Sequence, residues 1–164
     1  MSTQKIIVMG VSGSGKSLIG ARLGRELQLP FYDADDFHTA DNIRKMSDGI
    51  PLSDQDRAGW LQQLAALLQA EPGLVLACSA LKADYRRRLQ EASPEVTFLY
   101  LCGDFDTIWA RLARREDHYF SGHSMLRSQF DQLEEPDHHE AIRISIDQPA
   151  DSVLEECLRK INNR

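Results

Sequence analysis

Cysteine is scarce. Cys78, Cys102 and Cys157 are the three thiols in 164 residues. Their odd number, wide spacing and lack of a C-x-x-C pair argue against a dithiol redox site or a zinc site. Each lies in an apolar or helical stretch and is expected to be a buried, reduced thiol. Long apolar runs are absent as well, so no helical membrane span is expected. The opening stretch MSTQKIIVMG has no basic region, apolar run and small-residue cleavage site of a secretory leader. A cytoplasmic enzyme fits these features. An excess of positive charge is also missing. Nineteen Lys and Arg stand against 25 Asp and Glu, a net charge of −6. That argues against a broad nucleic-acid surface, while leaving room for a local basic pocket. Internal repeats, low-complexity tracts and long linkers do not occur.

What remains is the composition of a folded soluble protein, 42% hydrophobic and 27% charged. The length suits one core with small insertions, so residues 1–164 are read as a single domain.

Short apolar runs alternate with helical spacing along the chain. Ile6 to Met9, Phe31-Tyr32, Leu74 to Cys78, Val96 to Leu101 and the Ile142, Ile144, Ile146 set read as strands. Helices are expected over Ser17 to Leu27, Ala40 to Met46, the stretch from an N-cap at Ser53 to Pro72-Gly73, and Lys82 to Glu91. Three more follow, over Phe105 to Arg115, Ser124 to Glu134 and Asp151 to Ile161. Strands that alternate with helices imply a parallel, helix-covered α/β sheet with right-handed crossovers. Two stretches interrupt the alternation, about 35–60 and about 115–124. They read as excursions over the carboxyl end of the sheet, where such folds bind ligands.

Gly10-Val11-Ser12-Gly13-Ser14-Gly15-Lys16-Ser17 satisfies G-x-x-x-x-G-K-[ST] in full, with an apolar strand before it and a helix after. Glycines let consecutive backbone N–H groups curl around phosphate oxygens, and the helix start adds its positive end. Lys16 is expected at the β- and γ-phosphates of ATP, and Ser17 at Mg²⁺.

Asp33 and Asp35 lie two apart at the end of a strand, so both can face the phosphate loop. Asp35 is assigned to the acceptor hydroxyl and Asp33 to water-mediated support of the metal, although spacing alone also permits the reverse, or simple capping. Arg44, Lys45 and Arg57 are candidates for an anionic acceptor, because a guanidinium pairs bidentately with a carboxylate. His38 is either a partner of a polyol hydroxyl or structural. Arg111, Arg114 and Arg115 recur along one helix. Either Arg114 or Arg115 is expected to stabilise the transferring phosphoryl group, and Arg111 to sit nearer the nucleotide base. Ser79, Lys82 and Arg86 follow the third strand at the same edge, where Ser79 either lines the acceptor site or caps the next helix. The adjacent His138 and His139 lack further ligands nearby and read as surface.

These residues resemble the gluconate kinases (gluconokinases) of the small P-loop type, relatives of shikimate and adenylate kinases. The resemblance spans essentially the whole chain. Its marks are Met9 through Ser17, Asp33-Ala34-Asp35 with His38, Asn42-Ile43-Arg44-Lys45-Met46, and Gly49-Ile50-Pro51-Leu52 with Asp54, Asp56-Arg57 and Trp60. Further marks are Cys78-Ser79-Ala80-Leu81-Lys82 with Tyr85-Arg86, Ser128-Gln129-Phe130 with Leu133-Glu134 and Pro136, and Ile146-Asp147-Gln148-Pro149. The resemblance implies transfer of the ATP γ-phosphate to the 6-hydroxyl of D-gluconate. It also implies a five-stranded parallel sheet in the order 2-3-1-4-5, a closing lid and a homodimer. Asp35, His38, Arg44, Lys82 and Arg86 match the family's acceptor region. Tyr119, and one extra residue around Gly122-His123, depart from the family's lid pattern. Two alternatives remain from sequence: a kinase for another small acceptor such as shikimate or a nucleoside monophosphate, and an ATP-gated switch module.

Overall fold

The computed structural model describes residues 4–113 and 121–163. Five strands, β1 (Lys5–Met9), β2 (Phe31–Asp33), β3 (Leu74–Ala77), β4 (Thr97–Cys102) and β5 (Ala141–Ser145), form one sheet in the order β2-β3-β1-β4-β5. Every pairing in it is parallel. The helices are α1 (Lys16–Leu27), α2 (Ala40–Ser47), α3 (Asp54–Ala70), α4 (Ala83–Ala92), α5 (Phe105–Ala113), α6 (Ser121–Gln132) and α7 (Ala150–Asn162), and a 3-10 turn spans Ala34–Phe37.

Alternation along the strands builds the core twice. Ile6 and Val8 of β1, with Leu99 and Leu101 of β4, pack against Leu23 of α1 and Val153 and Cys157 of α7. Their neighbours Ile7, Met9, Phe98 and Tyr100 face the other way, onto Trp60, Leu64 and Leu68 of α3 and Leu89 of α4. Successive strand side chains point to opposite faces, so a sheet covered on both sides reads as unbroken apolar runs. β1 lies between β3 and β4; the connection from β1 to β2 runs to one side of it and the connection from β3 to β4 crosses to the other. That makes its carboxyl end the switch point where a crevice opens.

Element ends follow local chemistry. Ser53 caps α3 with a full capping box, its hydroxyl accepting from the Asp56 N–H while Asp56 accepts from the Ser53 N–H. Thr39 caps α2 through the Asn42 N–H. Several boundaries differ from the periodicity. Helix α6 starts at Ser121 rather than Ser124 and stops at Gln132, because the Glu134 N–H turns to the Leu81 carbonyl instead of continuing the helix. Ile146, expected in the last strand, lies just past it, though it is buried and its N–H still reaches the Cys102 carbonyl. Ile142 is only half-buried on the edge strand. Cys78 and Cys157 are buried as expected, but Cys102 is half-exposed. No described helix is long and apolar enough to cross a membrane.

Candidate active site

The phosphate loop joins β1 to α1 at the switch point. A Cβ on Gly10 would lie 2.6 Å from Ser14 Oγ and 2.9 Å from the Leu101 carbonyl, so only glycine fits beneath the loop. Gly15, at φ 94, turns the chain into α1 through the left-handed region. The first turn of α1 carries no acidic residue and no side-chain cap, so its amides and positive end stay open to an anion. Ser14 Oγ is buried beneath the loop, close to Gly10, with no hydrogen-bond partner among the described residues. Lys16 Nζ lies 3.5 Å from the Val11 carbonyl, folded back over the loop.

The Asp33 carboxylate does two things at once. Oδ2 accepts from the Ser17 hydroxyl at 2.7 Å, and Oδ1 accepts from the Asp35 N–H at 3.0 Å. Asp33 therefore caps the 3-10 turn, one of the alternatives the sequence left open, and also bonds the serine of the phosphate loop. Ser17 and Asp33 present hard oxygen donors together, a set that suits Mg²⁺, which needs only one or two protein ligands beside substrate phosphates. Among the described residues no group of three His, Cys, Asp or Glu side chains could cage a metal unaided.

Beside the loop lies a cleft of about 270 Å³. Lys16 and Ser12 of the phosphate loop line it, together with Asp35, His38, Arg57 and Trp60, and with Ser79, Ser128, Gln129 and Gln132. Asp35 is exposed into it, freed from capping by Asp33.

His38 stands in the wall. Its ring stacks on Trp60 at 4.5 Å and 8°, and the Trp60 Nε1–H donates to the Ala34 carbonyl at 2.7 Å. Asn42 Nδ2 donates to the Asp56 carbonyl at 2.8 Å, which orients the amide, and it also sits 3.3 Å from His38 Nδ1. This network assigns Nδ1 as acceptor, with the proton on Nε2, 4.0 Å from an Asp35 oxygen. Burial pushes the imidazole pKa below its ordinary value, against the pull of Asp35 and with the help of Arg57.

Among the described residues, Arg57 is the arginine that lines the cleft. Nη1 donates to Tyr85 Oη at 3.0 Å and to Gln132 Oε1 at 2.9 Å. Tyr85 in turn hydrogen-bonds Asp54, which also accepts from Lys82 at 2.8 Å. Lys82, expected at the acceptor, is thus tied to Asp54 and is not among the residues that line the cleft. Lys82, then Tyr85, holds the Asp54 carboxyl below its usual range.

Two further expectations are corrected. Arg86, expected at the acceptor, is 2% exposed and serves the scaffold. It pairs with Glu140 and donates to the carbonyls of Ala80 (2.8 Å), Leu81 (3.1 Å) and Glu134 (2.7 Å). These bonds clamp the turn after β3, where Ala80 sits at φ 45. Arg44 faces outward on α2, pairs with Asp41 at 3.5 Å and lines a separate hollow with Lys45 and Asp48. Helix periodicity put it on the correct element, but on the outer face. Lys45 binds Asp56 at 2.8 Å and holds its carboxyl down at about 2. Ser79 lines the cleft and does not cap α4, whose N-cap is Lys82.

Arg111 donates to the carbonyls of Ile146 and Gln148, beside a second hollow lined by Thr107, Asp147 and Gln148. Arg114 and Arg115 lie outside the described residues, as do residues 115–120 of the expected lid and the departure at Tyr119; residues 121–124 form the first turn of α6. Gln129 stood in the Ser128-Gln129-Phe130 mark of the resemblance with no role assigned, and Gln132 was not singled out, because glutamine on a polar helix face carries no signal of its own; both line the cleft.

A model of the shikimate kinase family matches residues 12–162. The chain is 45% identical to the thermosensitive gluconokinase of Escherichia coli K12, over 98% of this chain and 89% of that protein. It is 41% identical to that organism's thermoresistant gluconokinase, over 94% of this chain and 91% of that protein. The crystal structure of a gluconokinase from Sinorhizobium meliloti 1021 superposes with a TM-score of 0.93 at 36% identity, covering 98% of this chain and 93% of that one. The matched region contains the phosphate loop from Ser12 on, the Asp33–Asp35 turn and the cleft wall. The chain belongs to the gluconokinase family and carries a P-loop domain of the shikimate kinase family.

Proposed function

We propose that the protein transfers the γ-phosphoryl group of ATP to the 6-hydroxyl of D-gluconate, giving 6-phosphogluconate and ADP. One observation carries the reading: Lys16 of the phosphate loop, the Asp35 carboxylate and Arg57 line the same cleft. In the transfer the O6–H bond and the bond from Pγ to the β,γ-bridging oxygen break. An O6–Pγ bond forms, and ADP leaves. Asp35 orients the hydroxyl and takes its proton. Lys16 and the amides of Gly10 through Ser17 hold the phosphates, and Arg111 flanks the base in its hollow. Ser17 and Asp33 would hold Mg²⁺, which neutralises phosphate charge when bound. Arg57 suits the acceptor's carboxylate and the His38 Nε2–H its hydroxyls. The stretch about 35–60 is the acceptor-binding excursion of one kinase domain. The family resemblance supports a cytoplasmic homodimer.

An acceptor panel tests the activity. ADP release is measured with gluconate, shikimate and nucleoside monophosphates. Gluconate is expected to lead by about a hundredfold or more in kcat/KM, since buried polar groups left unpaired penalise analogues heavily. Equal turnover of shikimate overturns the assignment.

A further inference from the structure

Gln129 spends both ends of its amide on one residue of the phosphate loop. Oε1 accepts from the Ser12 N–H at 2.7 Å, and Nε2 donates to Ser12 Oγ at 2.9 Å. A single bond would leave α6 free to pivot about the loop; the paired bonds fix both distance and rotation. One turn further along α6, Gln132 Oε1 accepts from Arg57 at 2.9 Å, while its Nε2 donates to Ser128 Oγ at 3.1 Å and so sets the amide's orientation. The same rigid helix therefore touches the donor side of the cleft through one glutamine and the acceptor side through the next.

We propose that α6 is the strut that sets the phosphate loop and the acceptor-side arginine against each other, with Gln129 and Gln132 as its two positioning residues. Its physical content is entropic. A phosphate loop and a long arginine side chain both lose conformational freedom when they bind. Each ligand that settles one of them also steadies α6, and so lowers the ordering cost left for the other. Nucleotide and acceptor should then strengthen each other's binding, by the same factor in either direction. The acceptor half of this inference rests on the activity proposed above; the contact between Gln129 and Ser12 does not.

The test is calorimetric, on the whole protein with Mg²⁺. The affinity for ADP is measured alone, and that for gluconate with and without saturating β,γ-imido-ATP. In the wild type the analogue should tighten gluconate about fivefold or more. Gln129→Met keeps the length and helix propensity of the side chain but neither hydrogen bond. It should weaken ADP by about five- to tenfold. Gluconate alone should bind it as it binds the wild type, and the enhancement by the analogue should vanish. Gln132→Met should show the mirror pattern, with weaker gluconate, unchanged ADP and the same lost enhancement. Steady-state kinetics should divide accordingly, KM for ATP rising in the first variant and KM for gluconate in the second. Full enhancement retained in Gln129→Met, or none in the wild type, overturns the proposal. A wild type that binds ADP but not gluconate contradicts the activity reading instead. The ADP arm then decides for Gln129, and unchanged affinity overturns its role. Should Gln129→Met fail to fold, Ser12→Ala removes the hydroxyl half of the same contact, and its retention of full enhancement overturns the proposal equally.

Discussion

The Ser17 hydroxyl donates to the Asp33 carboxylate at 2.7 Å, tying the first turn of α1 to the end of β2 across β3. The other oxygen of the same carboxylate takes the Asp35 N–H, so the pair also aims Asp35. Asp33→Asn keeps an acceptor for the turn and loses the charge. The Mg²⁺ concentration for half-maximal rate should rise about 10- to 100-fold, the usual cost of disturbing the surroundings of a metal. The melting temperature should hardly move. A magnesium titration of initial rate checks this, and an unchanged midpoint contradicts it.

Asp35 makes no side-chain cap and is exposed into the cleft, so its loss should cost chemistry more than structure. Asp35→Asn should lower kcat by about 10²–10⁴-fold, the range of a positioned general base, with ADP affinity within about twofold of wild type. Lys16→Ala should differ in kind, weakening both nucleotide binding and turnover. Loss of ADP binding in Asp35→Asn, with turnover preserved at saturating ATP, would place Asp35 on the donor side instead.

His38 gives a pH dependence with a definite sign. Burial lowers its folded pKa below the ordinary 6.5, so the unfolded chain takes up the proton more readily. The stability it contributes is complete above pH 6.5 and is lost as the pH falls below that value. Thermal melts between pH 7.5 and 5 should show a decline in the wild type that is shallower in His38→Gln. Parallel curves would mean the imidazole is not held neutral.

Arg86 and Arg44 should behave as opposites. Arg86→Ala leaves Glu140 and three backbone carbonyls without their donor in a buried setting, a change that typically costs about 3–5 kcal/mol. For a chain of this size that lowers Tm by roughly 10 °C. Arg44→Ala, at an exposed pair with Asp41, should leave Tm within about 1 °C. Equal melting temperatures for the two variants would refute the structural role of Arg86.

The sheet was legible because β1, β3 and β4 are short apolar runs closed by glycine, proline or polar residues, and the last strand shows itself by the alternation of Ile142 and Ile144. The loop from Gly10 to Ser17 was legible because its geometry restricts residue type at every fixed position. The aspartate pair was visible, but not its division, since spacing is silent on which oxygen meets which hydrogen. The arginines were the weak point. Arg44, Arg57 and Arg86 are all charged residues on helices in or near the acceptor region, and helical spacing does not say which face meets the cleft. That was decided by distant partners, Gln132 for Arg57 and Glu134 with Glu140 for Arg86. Contacts of that kind, between residues dozens of positions apart, exist only once the chain has folded.

The account stands or falls on where the phosphoryl group goes. The protein is incubated with ATP, Mg²⁺ and D-gluconate, and the products are read by phosphorus and carbon NMR. A phosphomonoester on C6 of gluconate, formed in step with ADP and at least about a hundredfold more slowly with Asp35→Asn, is the predicted result. Orthophosphate alone, or an ester on another carbon, would contradict it.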